Sequence, residues 1–277
     1  MTTATTAPAP ARRATHDGAR LTFGRLVRSQ WITLSTLRGN IVALVLGVLA
    51  TAGLSTLFAL MISISYEGSG GQTMLPDYTS LSVNTYSIAM IVAVLTAVSF
   101  YAKERSTGAH RTLLAAAPRR VGQIGAKAVV IGAASFAAAL IAMALSATGV
   151  AIVLGIFGNP LGIESFATDV VLPAIGASFY VAACAVFALG IGVLLRSETW
   201  AILIALVYLL MLPTVLMMLP FDWAPTVADY LLSTSGEQLV VPFTGLNGEL
   251  WTDIGLTIAW PAATLGIAMA VERSRDA

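Results

Sequence analysis

The sequence predicts an all-α membrane protein with six transmembrane helices and an N-terminal interfacial helix. Three observations lead there. Only 10% of the 277 residues are charged and 57% are hydrophobic, whereas a soluble domain carries about 25% charged residues. Mean hydropathy is +0.84. Six long stretches contain no Asp, Glu, Lys, Arg or His, and a charge at mid-bilayer costs about 2.5–3.5 kcal/mol on insertion scales.

Those stretches lie between Arg38 and Glu67, Asp77 and Lys103, Lys127 and Glu164, Asp169 and Arg196, Glu198 and Asp222, and Asp253 and Glu272. The shortest holds 18 residues and the longest 36, and a span needs about 20. They place the spans at about 41–63, 83–102, 127–155, 172–195, 199–219 and 253–271. The third stretch is too long for one span, so Gly155–Gly162 (GIFGNPLG) is its exit turn.

All fifteen basic residues fall in residues 1–40, in the loop 103–127, at Arg196 or in the tail at Arg273 and Arg275. The three alternate loops, about 64–82, 156–172 and 220–252, have none and hold eight acidic residues. The positive-inside rule then places both chain ends and the 103–126 loop in the cytoplasm, with the chain in a bacterial plasma membrane.

Residues 1–19 are Ala/Thr/Pro-rich without periodicity and read as a disordered tail. They do not form a signal peptide, because the first apolar run begins only at Ile41. Residues 20–38 place Phe23, Leu26, Val27, Trp31, Leu34 and Leu37 near one helical stripe, with Arg25, Arg28, Ser35 and Arg38 largely away from it. That pattern suits a helix lying on the inner leaflet; the plainer reading is a basic flank that sets topology.

The interiors of the spans hold no ionisable group except Cys184 and a few tyrosines, which argues against a proton-coupled carrier or a voltage sensor. A sodium-coupled carrier working through backbone carbonyls stays open. Both histidines, His16 and His110, lie outside the spans, so there is no intramembrane Ser–His pair and no HExxH. Gly122-Gln-Ile-Gly-Ala-Lys127 lacks phosphate-loop spacing. The single Cys184 forms no internal disulfide and reads as a small buried residue.

Residues 103–127 are the most distinctive segment. Gly108 ends or bends a helix, His110–Ala117 forms a short helix, and Pro118 stops it. The plainer reading is an ordinary positive-inside loop. The pattern Glu104-Arg-x-x-Gly108-x-x-Arg111-x-x-Leu114-x-x-x-Pro118-x-Arg120, followed by Lys127 entering an apolar helix, resembles the ABC-2-type family of ABC transporter permeases. Residues 26–38 also resemble the segment before the first span in actinobacterial members, with Gln30 where Glu is usual and Thr33 where Lys is usual.

The resemblance implies the ABC-2-type, type V exporter-like permease fold. It implies a second permease copy, identical or not, and a dimer of cytoplasmic ABC ATPases that binds ATP and Mg; this chain binds no cofactor itself. A coupling helix would sit in the 103–126 loop, with Glu104, Arg105, Gly108, Arg111, Leu114, Pro118 and Arg120 contacting the ATPase or shaping the helix. Spans 2 and 5 would border the substrate path, offering Thr96, Ser99, Tyr208, Met211, Thr214 and Met217. The exported molecule would be hydrophobic or amphipathic. Membrane lipids, and no nucleic acid, complete the expected partners.

Residues 220–252 carry Trp, Tyr and Leu at a membrane edge, which suits short helices resting in the interface as well as a plain connecting loop. The small residues of spans 3 and 4 suit close helix packing. Span 5 has Pro213 and methionines that suit a kinked, adaptable surface or simple filler. Three function classes remain: the membrane subunit of an ATP-driven exporter, an ATP-independent carrier or channel, and a membrane-anchored scaffold or immunity protein. The first is preferred, because the 103–127 loop fits it and the spans lack an ionisable engine.

Overall fold

The structure, a computed structural model, describes residues 22–70, 76–106, 120–159, 162–241 and 248–274; the side chains of 104–106 and 120–121 are outside that description. Among the described residues there is no strand. The helices are α1 (Phe23–Thr36), α2 (Arg38–Gly68), α3 (Tyr78–Val83), α4 (Tyr86–Ser106) and α5 (Arg120–Ile156). A π turn (Ala167–Val171) then leads into α6 (Leu172–Leu195). A second π turn (Val207–Met211) joins α7 (Glu198–Leu206) to α8 (Leu212–Met218). Two short helices, α9 (Trp223–Asp229) and α10 (Leu232–Gln238), precede α11 (Gly248–Ser274). Six helical rods are long and apolar enough to cross a membrane, so the chain is a multi-pass membrane protein.

α6 is the centre of the bundle. Its span is 72% buried, against 17% for α2 and for α11. Ala177, Ser178, Ala183, Ala185, Ala188, Gly190 and Gly192 are buried along it, and such small side chains let α4, α5, α7 and α11 all pack against it. On α2 the buried residues recur every fourth position, Gly47, Thr51, Ser55, Ala59 and Ser63. That spacing keeps them on one face of a 3.6-residue helix. The opposite face, with Leu46, Leu49, Leu57, Phe58 and Met61, is exposed and suits lipid.

Both π turns precede prolines. Pro173 has no N–H for the carbonyl of Asp169 four residues back, and Thr79 Oγ1 donates to that carbonyl at 2.6 Å. Pro213 stands in the same relation to Leu209 at the second π turn.

Several boundaries differ from the sequence expectation. α4 starts at Tyr86, and the buried helix α3 precedes it after a turn at Asn84 and Thr85. Residues 78–82, expected in a loop, therefore fold into the bundle: Ser55 Oγ donates to Leu81 O at 2.7 Å and Tyr78 OH to Ala147 O at 2.6 Å. α5 starts at Arg120 rather than near Lys127, and α4 runs on to Ser106. The expected 103–126 loop is helical at both ends as a result. The exit turn after α5 falls where expected, with Gly158 at φ 67° and Gly162 at φ 60°. Residues 1–19 and 275–277 lie outside the described residues.

α1 departs from its expected stripe. Leu26, Val27, Thr33, Leu34 and Leu37 turn inward with Gln30, which is 3% exposed, while Phe23, Trp31 and Ile32 are more than half exposed. Its inner face packs on α5, where a side chain at Gly122 would meet Leu26 and one at Gly125 would meet Phe23. The 3.6 period finds an apolar side; it does not tell protein from lipid as the cover.

Candidate functional site

Side-chain contacts gather the described charges at two ends of the bundle. At one end Lys103 Nζ, closing α4, donates to Asn40 Oδ1 in the first turn of α2 at 2.8 Å. Lys127, in the second turn or so of α5, is 4% exposed, with Nζ 5.1 Å from the Tyr101 ring centroid and 5.8 Å from that of Phe100. Such cation–π contacts help hold an ammonium away from water. Ser99 Oγ donates to Glu198 Oε1, tying α4 to the start of α7. Arg196 Nη2 meets Glu272 Oε2 at 3.2 Å, tying the end of α6 to the end of α11.

This basic end therefore joins α2, α4, α5, α6, α7 and α11, with α1 laid against α5. Three buried side-chain amide atoms near it, Gln30 Oε1, Asn40 Nδ2 and Gln123 Nε2, have no hydrogen-bond partner among the described residues. A cleft of about 310 Å³ opens between α4, α6 and α7 at the same level.

The other end is acidic and is closed by short helices. Gly236 of α10 lies against Tyr180 of α6, so that any side chain there would enter the ring, and Gly176 lies equally close to the carbonyl of Leu239. Tyr86 OH donates to Glu237 Oε1 at 3.0 Å, and Trp260 Nε1 donates to Tyr230 O at 2.9 Å. Beneath, the Tyr208 ring packs at a tilt against Phe187 at 4.8 Å and against Trp260 at 5.5 Å between ring centroids. Within the expected outer loop 220–252, the described residues form α9, packed on α8, and α10, docked on α6 and α11, and α11 already begins at Gly248.

Of the residues expected to couple to an ATPase, Gly108, Arg111, Leu114 and Pro118 lie outside the described residues, as does the short helix expected at 110–117. Glu104 and Arg105 fall in the last turn of α4 and Arg120 opens α5, with side chains outside the description. The six residues expected along a substrate path do not share one cavity within the chain. Thr96 is buried and its Oγ1 bonds Val92 O of its own helix at 2.7 Å. Ser99 is at the basic end and Tyr208 points into the aromatic cluster. Met211 and Met217 are 58% and 59% exposed, and Thr214 lies on the exposed side of α8.

The Arg196–Glu272 pair and the Lys127–aromatic contact were not singled out from sequence. Both had a faint signal there: each charge marks the edge of a charge-free stretch. Among the described residues no cluster of three or more His, Cys, Asp or Glu side chains is placed to hold a metal ion, and Cys184 is a buried free thiol.

Fold and site together define a six-rod, multi-pass membrane protein whose described basic residues gather at one end and whose acidic end is closed by short helices. No protein-family model matches the chain, and no curated protein matches it.

Proposed function

We propose that this chain is the membrane-spanning permease subunit of an ATP-driven exporter of the ABC-2 type, with its basic end in the cytoplasm and its energy supplied by a separate ATPase. The observation that carries the reading is the grip of the bundle on both ends of residues 103–127. Lys103 is held to α2, Lys127 lies over aromatic rings of α4, and α1 covers the first turns of α5. A push on the intervening segment would move α4 and α5 as packed bodies rather than bend a slack loop, which is how nucleotide-driven closure becomes span movement.

The residue pattern from Glu104 to Arg120 and the spans' lack of ionisable groups support the same reading. ATP and Mg would be bound by the partner chain. A second copy of this chain, or a related permease, would complete the pathway for a hydrophobic or amphipathic molecule.

Reversing charge at both Glu104 and Arg111 tests the coupling role. The expected result is loss of ATPase binding and stimulation while the chain still inserts and folds. Unchanged binding and stimulation would reduce the segment to a topology signal.

A further inference from the structure

The cleft at the basic end carries polar groups of its own. Its apolar floor is Val98, Ala102 and Gly192, and its rim carries Tyr101 and the consecutive Arg196, Ser197 and Glu198. Each of those three retains bonding capacity. Arg196 gives Nη2 to Glu272 and its side chain is 38% exposed; its other guanidinium nitrogens bond no described residue. Glu198 is exposed and accepts from Ser99 through Oε1 alone, leaving Oε2 open. Ser197 occupies the N-cap of α7, yet its hydroxyl makes no capping bond. The cleft thus offers a cation, a hydroxyl and a carboxylate side by side, which suits a ligand that carries both charges.

The surroundings favour lipid over a soluble zwitterion. Leu195 and Trp200 flank the charged triplet at 41% and 61% exposure, and Leu203, Ile204 and Val207 continue an exposed apolar face along α7. Tryptophan beside charge is the usual dressing of a headgroup level, and a cavity of this size is at the small end of ligand sites.

We propose that this cleft binds the headgroup of a zwitterionic phospholipid from the leaflet on the basic side. The ammonium sits on Glu198, the phosphate on Arg196 and the Ser197 hydroxyl, and an acyl chain lies along α7. The site requires no ATPase and stands whether or not the chain couples to one.

The test uses the full chain in nanodiscs of phosphatidylethanolamine mixed with phosphatidylglycerol, or of phosphatidylcholine mixed with phosphatidylglycerol. Native mass spectrometry after release into mild detergent counts the retained lipid. The wild type is expected to retain phosphatidylethanolamine over both other lipids by about tenfold, the value of one charge-assisted hydrogen bond. Glu198→Gln, which still accepts from Ser99, should erase the preference for phosphatidylethanolamine over phosphatidylglycerol. Arg196→Gln should lower retention of all three.

Ala102→Leu fills the floor without touching a charge and should block retention; with Glu198→Gln it carries the test if Arg196→Gln melts early. Equal retention of the three lipids by the wild type would overturn the site. So would retention unchanged in Glu198→Gln and Ala102→Leu. Variants that keep the lipid but lose a co-purifying ATPase would mark the cleft as a protein-docking surface and overturn it equally.

Discussion

At Gly236 the absence of a side chain decides how the acidic end closes. The Tyr180 ring occupies the space a Cβ would need, whereas nothing lies within 4 Å of a Cβ built at Gly24. Gly236→Ala is therefore expected to cost about 1–3 kcal/mol, as overpacking does, and Gly24→Ala to be neutral or to gain up to about 1 kcal/mol. Thermal melting of the detergent-solubilised protein reads both; equal melting of the two variants would mean that α10 is not seated on Tyr180. The Trp and Tyr residues of 220–252 suggested short helices at a membrane edge, with a plain connecting loop as the alternative. That Gly236 meets Tyr180, 56 positions earlier in the chain, was not legible, because a glycine carries no mark of the ring that closes on it.

Among the elements, α2 is the clearest case of a helix with two different solvents. Its small-residue face allows close approach, and a Cβ on Gly47 would run into Val92 of α4. Gly47→Leu should cost about 1–3 kcal/mol or more, while Leu46→Ala, on a side chain already 60% exposed, should cost less than about 0.5 kcal/mol. Chemical denaturation in mixed micelles separates the two, and similar losses would place the packed face elsewhere.

The span count was legible because charges are excluded from the bilayer wherever they fall in the sequence. The ends of elements were harder to read. α3 was missed because Tyr78–Val83 is too short for a periodic signal and is held by distant partners, with Tyr78 bonded to Ala147 and Thr79 to Asp169. α1 was found, but four of the six residues of its expected lipid stripe, Leu26, Val27, Leu34 and Leu37, turn inward, and its buried Gln30 was counted on no face.

For the whole molecule, the described basic residues share one end, and the contacts Lys103–Asn40 and Arg196–Glu272 show that end to be a joined surface. Placing it in the cytoplasm makes a direct prediction. The wild type should resist thiol reagents, since its one cysteine, Cys184, is buried. Glu67→Cys and Asp222→Cys, at exposed acidic-end positions, should label in intact cells; Arg28→Cys and Arg273→Cys should label only after permeabilisation. The reverse pattern would invert the topology.

The residues expected along a substrate path, among them Thr96, Ser99, Tyr208 and Met211, were grouped by span membership, and a helix turns its residues to every side. Thr96 and Tyr208 face inward and Met211 outward. In the proposed function, energy enters through residues 103–127 from another chain. The most direct measurement is affinity purification of this chain in mild detergent, with nucleotide hydrolysis assayed on the eluate. The account predicts a co-purifying soluble ATPase whose hydrolysis rate changes on assembly. Elution without an ATPase, together with transport by the purified chain alone in liposomes lacking ATP, would contradict it.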